Sequence, residues 1–329
     1  MTRSVKKENF LSTGFQGRLH RWAKDEHAVG LDVHAGRIVA SHFIEYHGEL
    51  LLNTLAAETC DPDLSEKELA HAIHSFWKKH KLPTRTVCTC LHTPSLIARF
   101  FAYTNVDQDE LPRVLSLEAE EALQLSLEDI ALSWHLNPEK QTGEISGALV
   151  AAPRKTVRNH IKLIQAAGLY PINVEIDCSA VINLYDFLST DADLAPVCLI
   201  NLTAQMAGIV ILSGGSAYPR IVFSSNPNGW QDNLDYLIEN MKSALLHYQL
   251  KIKGDPVSKL LLAGDPQSNH FRERITEATG IPVENWNPIS AEKMPRSAHS
   301  KKILSTEEMK DFNLSTALGL GLHHPKREL

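Results

Sequence analysis

The spacing of apolar and polar positions changes period several times along the chain, and each change marks an element. From residue 28 to about 57, short apolar runs are broken by turns at His34–Gly36 and His47-Gly48, which predicts a strand meander. Ser65-Glu-Lys-Glu68 has the spacing of a capping box, where serine and glutamate side chains each satisfy a backbone donor of the other. Leu69, Ala72, Ile73, Phe76 and Trp77 follow at helical spacing, so residues 66–80 are expected to form an amphipathic helix. Thr86–Leu91 and Leu96–Tyr103 read as strands, with Pro94 breaking between them.

The next stretch, Asp107–Leu125, is acidic and helical, with Leu111, Val114, Leu115, Ala119 and Ala122 on one face. Strands over 130–136 and 146–152, a helix over 153–167 that stops at Gly168, and a strand at Tyr170–Ile176 complete a predicted α+β insert. Beyond Pro196 a second series begins, with a tight hairpin turn at Ser213-Gly-Gly-Ser216. A helix from Trp230 to Ile252 carries Leu234, Leu237, Ile238, Met241, Leu245 and Tyr248 at core spacing. Val257–Ala263 reads as a buried strand, 268–279 as a helix, Ile281–Trp286 as a short strand and 290–305 as polar loop. A last helix is expected over 306–322, where the glycines of Ala317-Leu-Gly-Leu-Gly-Leu322 permit close packing on a sheet.

Two distant segments match. Val29–Ala40 and Val197–Ile211 are each an apolar strand, a short polar turn and a second apolar strand. Asp32 and Asn201 stand at the ends of their first strands. The repetition predicts a duplicated domain with a ligand cleft between its halves, and the length of 329 residues agrees with two domains.

Composition narrows the function classes. Hydrophobic residues make up 43% and charged residues 22%, and the net charge is -6, without a nucleic-acid-binding signature. No apolar run reaches the ~18 residues of a membrane span, and Met1–Phe10 lacks the apolar core of a secretory signal. Residues 1–27 are read as a loosely ordered tail and 323–329 as a C-terminal tail. Cys60, Cys88, Cys90, Cys178 and Cys198 are scattered and odd in number, which points to buried thiols rather than disulfides or a zinc site. His71 and His74, one helical turn apart, are read as surface residues, and no metal site is expected.

Gly30-Leu-Asp-Val-His-Ala35 resembles a segment of the PilM family, actin-like cytoplasmic proteins of type IV pilus assembly. The acidic helix and the extended region after it, Asp109–Trp134 with Glu118 and Glu120, are similar to the same family. So are Leu149-Val-Ala-Ala-Pro-Arg154, Ala167-Gly-Leu169, Val174–Asp177 and Ala317–Leu322. The likeness spans residues 28–322 and rests on the order of the motifs. It implies a mixed α/β fold of actin-like, ribonuclease H-like duplicated domains with an inserted α+β subdomain. The first actin-like subdomain would hold 28–103 and 177–195, the insert 104–176, and the second half 196–322.

The resemblance places a phosphate site at Asp32, His34, Ala35 and Gly36 in one half, and at Asn201, Thr203, Gly264 and Asp265 in the other. An actin-like turn needs glycine so that backbone N–H groups reach a phosphate, but His34 stands there and Ala35 replaces a hydroxyl. Asn201 replaces a carboxylate suited to hydrated Mg²⁺, Thr203 replaces glycine, and Asp265 adds negative charge. These changes predict a degenerate nucleotide site, no catalytic residue and no cofactor. An active ATPase using ATP and Mg²⁺ is the alternative, and an FtsA-like filament protein a third reading. The resemblance further implies a scaffold at the cytoplasmic face of the inner membrane. It would bind the cytoplasmic tail of a PilN-like single-span protein near Arg99, Phe100, Phe101 and Tyr103, with self-association as a further possibility.

Overall fold

The computed structural model describes residues 28–138, 144–189, 195–226, 229–264, 269–289, 294–297, 302–303 and 312–323. The expected tail over 1–27 and all of the C-terminal tail except His323 lie outside the described residues.

Strands β1 (Val29–His34), β2 (Arg37–Tyr46) and β3 (Glu49–Thr59) form the predicted antiparallel meander. Helix α1 (Glu66–His80) starts at Ser65, whose side chain accepts from the Glu68 N–H while Glu68 accepts from the Ser65 N–H, as the capping box requires. It buries Ala70, Ile73, Phe76 and Trp77, and β4 (Thr86–Cys90) then runs parallel to β1. After it come β5 (Ile97–Tyr103), α2 (Leu111–Leu123), β6 (Ile130–Leu136) and β7 (Ile145–Pro153). Helix α3 (Arg154–Ala166), strand β8 (Tyr170–Glu175) and helix α4 (Asp177–Leu188) follow.

The second series opens with β9 (Val197–Leu202), β10 (Met206–Ser213) and β11 (Ser216–Phe223). The β10–β11 turn places Gly214 and Gly215 at φ of 55° and 75°, the left-handed pair that a two-residue hairpin needs. Helix α5 (Leu234–His247) continues into a π-helical turn at Tyr248–Ile252, followed by β12 (Lys259–Gly264), α6 (Asn269–Thr279), β13 (Val283–Asn285), β14 (Lys302–Ile303) and α7 (Ser315–Gly321).

Strand order makes the duplication explicit. One sheet runs β14-β3-β2-β1-β4-β8 and the other β11-β10-β9-β12-β13. Apart from β14, each has a three-stranded antiparallel meander whose first strand pairs with a parallel strand, which pairs with another. This is the duplicated actin-like arrangement with mixed α/β layers.

Two units divide the chain. The first comprises the described parts of Glu8–His92, Lys155–Leu188 and Asn287–Leu329; the second, those of Thr93–Arg154 and Ser189–Trp286. In the first, Val29, Leu31, Ile38, Ile73, Phe76, Val87 and Ile164 form a core between the sheet and helices α1 and α3. In the second, strands β9, β10 and β12 pack Ile200, Ile209, Leu260 and Leu262 against Leu237, Met241 and Tyr248.

A strand, β14, stands within the 290–305 stretch read as loop, and three further differences bear on domain organisation. The insert was expected over 104–176, but β5 pairs with β7 along its length, from Ile97↔Ala151 to Tyr103↔Ile145, so the three-stranded sheet β5-β7-β6 begins at residue 97. It ends at Pro153, because β8 completes the six-stranded sheet beside β4. Helix α4 had no predicted element; it buries Cys178, Ala180, Val181, Leu184 and Leu188. The last helix packs on β1, β2, β4 and α4 in the first unit, not in the half 196–322. Its glycines serve the close approach foreseen for them. A Cβ on Gly319 would lie 1.8 Å from the Ala180 carbonyl oxygen, and one on Gly30 of β1 would lie 2.3 Å from that of Ala317.

Candidate functional site

In the first unit, β1 ends in Asp32-Val-His34, and alternation along a strand sends both polar side chains to one face. The parallel neighbour β4 ends in Cys90 and is followed by Leu91 and His92. The register pairs Leu31 with Thr89, so Asp32 and Cys90 are the next residues on adjacent strands. Asp32 is fully buried. Its Oδ1 lies 2.6 Å from His92 Nε2 and its Oδ2 lies 3.2 Å from His34 Nδ1. The two imidazoles face each other with centroids 4.4 Å apart. Burial pushes the Asp32 carboxyl up, but His34 and His92 outweigh it and hold the group well below the usual carboxylate range.

His160 reaches the same end of the sheet from α3, with Nε2 3.0 Å from Thr89 Oγ1. Burial pushes this histidine down to about 4, helped by His92 and opposed by Asp32. The turn beyond β1 is closed by Ala35 at φ 46° and Gly36 at φ 71°, and the Gly36 carbonyl accepts from the Cys60 N–H at 2.7 Å.

The corresponding place in the second unit is organised differently. Asn201 and Thr203 are both buried. Thr203 N–H donates to the Met206 carbonyl at 2.8 Å, and Met206 N–H donates back to Thr203 Oγ1 at 3.1 Å. Trp230 Nε1 donates to the Thr203 carbonyl at 3.0 Å. The threonine thus supplies to its own turn what a phosphate oxygen would supply to a glycine turn, an acceptor for backbone N–H groups. Gly264, at φ 110° opposite Leu202, comes so close that a Cβ would lie 2.0 Å from the Leu202 carbonyl oxygen. Register therefore gathers Asn201, Thr203 and Gly264 at the C-terminal ends of the adjacent strands β9 and β12, whereas Asp265 lies outside the described residues.

On β5, Phe101 is buried with Leu111, Leu115 and Leu149. Phe100 packs against Tyr218 with ring centroids 4.6 Å apart and planes tilted by 52°, and Tyr103 donates to Glu118 Oε2 at 2.5 Å. Arg99 is exposed on that strand. His74, read from sequence as a surface residue, contacts the Ala167 carbonyl through Nδ1 at 3.1 Å. All five cysteines are free thiols, and four are buried.

Sequence reading did not join His92, Cys90 and His160 to Asp32. The available signal was a pair of short repeats, Asp32-Val-His34 and Cys90-Leu-His92, each ending a strand and each placing its polar residues on one face. That β1 and β4 are neighbours comes only from the sheet.

Among the described residues, no helix is long and apolar enough to cross a membrane. No curated protein matches the sequence. Of solved structures, the PilM–PilN type IV pilus biogenesis complex is similar, with a TM-score of 0.74, 17% identity and coverage of 91% of this chain and 98% of that one. A Bacteroides thetaiotaomicron protein of actin-like ATPase fold and unknown function has a TM-score of 0.48 at 10% identity, covering 81% and 95%. The cytoplasmic domain of EpsL, an inner-membrane component of the Vibrio cholerae type II secretion system, has a TM-score of 0.44 at 11% identity, covering 82% and 100%. The profile of the family described as type IV pilus assembly protein PilM matches residues 30–223, and the chain belongs to that family.

Proposed function

We propose that this chain is a non-catalytic scaffold of a type IV pilus or related secretion platform, working at the cytoplasmic face of the inner membrane. It holds the short cytoplasmic tail of a PilN-like single-span protein. The observation that carries the reading is the engagement of Asp32. Hydrated Mg²⁺ prefers to be surrounded by oxygen ligands, and here nitrogen groups flank both oxygens of the carboxylate, His92 at 2.6 Å and His34 at 3.2 Å. The second turn supports it, since Thr203 already satisfies Met206 N–H. Family membership and the likeness to PilM of a PilM–PilN complex favour a PilN-like partner. Docking of an extended tail uses main-chain hydrogen bonds and side-chain pockets and requires no nucleotide chemistry. Exposed Arg99 on β5 is the residue of the predicted groove best suited to meet such a tail.

The test is calorimetry on the full chain in two arms. Titration with ATP and Mg²⁺ gives no binding heat, and titration with a synthetic PilN-like N-terminal tail gives saturable heat. A saturable MgATP isotherm would sink the degenerate-site half of the proposal and favour the ATPase. Absence of heat with every PilN-like tail tried would sink the scaffold half.

A further inference from the structure

We propose that Asp32, Cys90 and His92 form a binding site for a zinc-type transition-metal ion. Their ligand atoms all lie within 4.8 Å of one another. All three come from the ends of the paired parallel strands β1 and β4, with Cys90 and Asp32 fully buried and the His92 side chain 12% exposed. Metal sites on strands are well positioned because the sheet hydrogen bonds fix the ligand spacing before the ion arrives.

The donor set chooses the ion. One carboxylate, one imidazole and one thiolate suit zinc and its neighbours, and a thiolate is a poor ligand for Mg²⁺. Three protein ligands leave a fourth position for water, the arrangement of an open zinc site. His92 Nδ1 has no hydrogen-bond partner among the described residues. His34, with Nδ1 3.2 Å from Asp32 Oδ2, is a positioning residue that orients the carboxylate from outside the ligand set. On binding, the Cys90 S–H proton passes to solvent, the proton on His92 Nε2 is exchanged through solvent for one on Nδ1, and the His92–Asp32 contact is replaced by bonds from Asp32 Oδ1, Cys90 Sγ and His92 Nε2 to the ion. No oxidant or reductant takes part. The site is independent of any peptide partner.

The experiment uses the full chain, stripped with a chelator and titrated with cobalt(II), whose absorption reports the ligands, then with zinc(II). One equivalent of cobalt produces a thiolate charge-transfer band in the near ultraviolet and d–d bands of tetrahedral intensity, and zinc removes both. Cys90→Ser abolishes the charge-transfer band, and Cys60→Ser keeps it. His34→Gln weakens zinc binding by about 10- to 100-fold while retaining the charge-transfer band. Circular dichroism of each variant establishes that it is folded, and if Cys90→Ser does not fold, His92→Gln serves, with an expected loss of tetrahedral d–d intensity. A wild-type spectrum equal to that of aqueous cobalt, or a charge-transfer band that persists in folded Cys90→Ser, overturns the proposal. Neither result alters the calorimetric arms for MgATP and the peptide.

Discussion

The two hairpins at the heart of the two units have the same strand order and opposite polar designs. At β1–β2 the polar groups reach outward from the backbone into a buried cluster, with Asp32 between His34 and His92. At β9–β10 the polar group turns inward on its own loop, where Thr203 and Met206 exchange hydrogen bonds. The first design keeps side-chain groups clustered at the strand ends. The second uses up the backbone donors. A duplicated fold can thus place its polar groups at corresponding turns in two physically different ways, in side-chain pairs or in bonds within the loop itself.

The largest expected effect breaks the first design. Asp32→Asn removes the charged partner of two imidazoles at a fully buried position and should lower stability by about 3–5 kcal/mol, read by urea unfolding. A loss under about 1 kcal/mol would mean that the histidines do not depend on the carboxylate.

Next comes a pH effect. His160 has its folded value held at about 4, below the ordinary 6.5, by burial first and by His92 next, while Asp32 pulls the other way and Thr89 faces it through Oγ1. The unfolded chain therefore binds this proton more readily. The stabilisation is whole above pH 6.5 and falls as pH drops toward about 4, by about 3 kcal/mol in all. Comparing unfolding curves of wild type and His160→Gln across that window should show the slope reduced in the variant.

A smaller effect probes the second design. Thr203→Val keeps the shape but leaves the buried Met206 N–H without its side-chain acceptor, for a loss of about 1–3 kcal/mol in urea unfolding. Equal stability of the variant would show that the turn is closed by its backbone alone. The smallest concerns Ala35, a non-glycine residue at φ 46° in the first turn. Ala35→Gly relieves that strain at some cost in chain entropy and should raise stability by about 0.5–1 kcal/mol, a few degrees in a melting curve. A lower melting temperature would show that entropy outweighs the strain.

Local signals were read well where they are complete in a few residues. Ser65 and Glu68 cap α1 as their spacing predicts, and the Gly-Gly pair makes the β10–β11 turn. Sequence order misled where strands join other sheets. β5 is an apolar strand like its neighbours, and nothing local told that its partner is β7, some fifty residues on, rather than a strand of the six-stranded sheet. Asp32 and Asn201 stand at strand ends in the sequence, and His34 and Thr203 enter as site positions only through the family resemblance. The sequence alone did not join His92 and Cys90 to Asp32, because parallel pairing brings together segments about sixty residues apart.

The chain's sequence by itself determined most of the elements and the duplication, because periodicity, caps and turn residues act over a few positions, and the altered residues at both turns emerged from its likeness to the family. Only the tertiary structure decided where the last helix docks, which strands border the insert, and that an aspartate, a cysteine and a histidine share one buried corner. Those outcomes depend on strand pairing and on close approach at glycines, which are settled by the packing of the whole sheet and not by any local stretch.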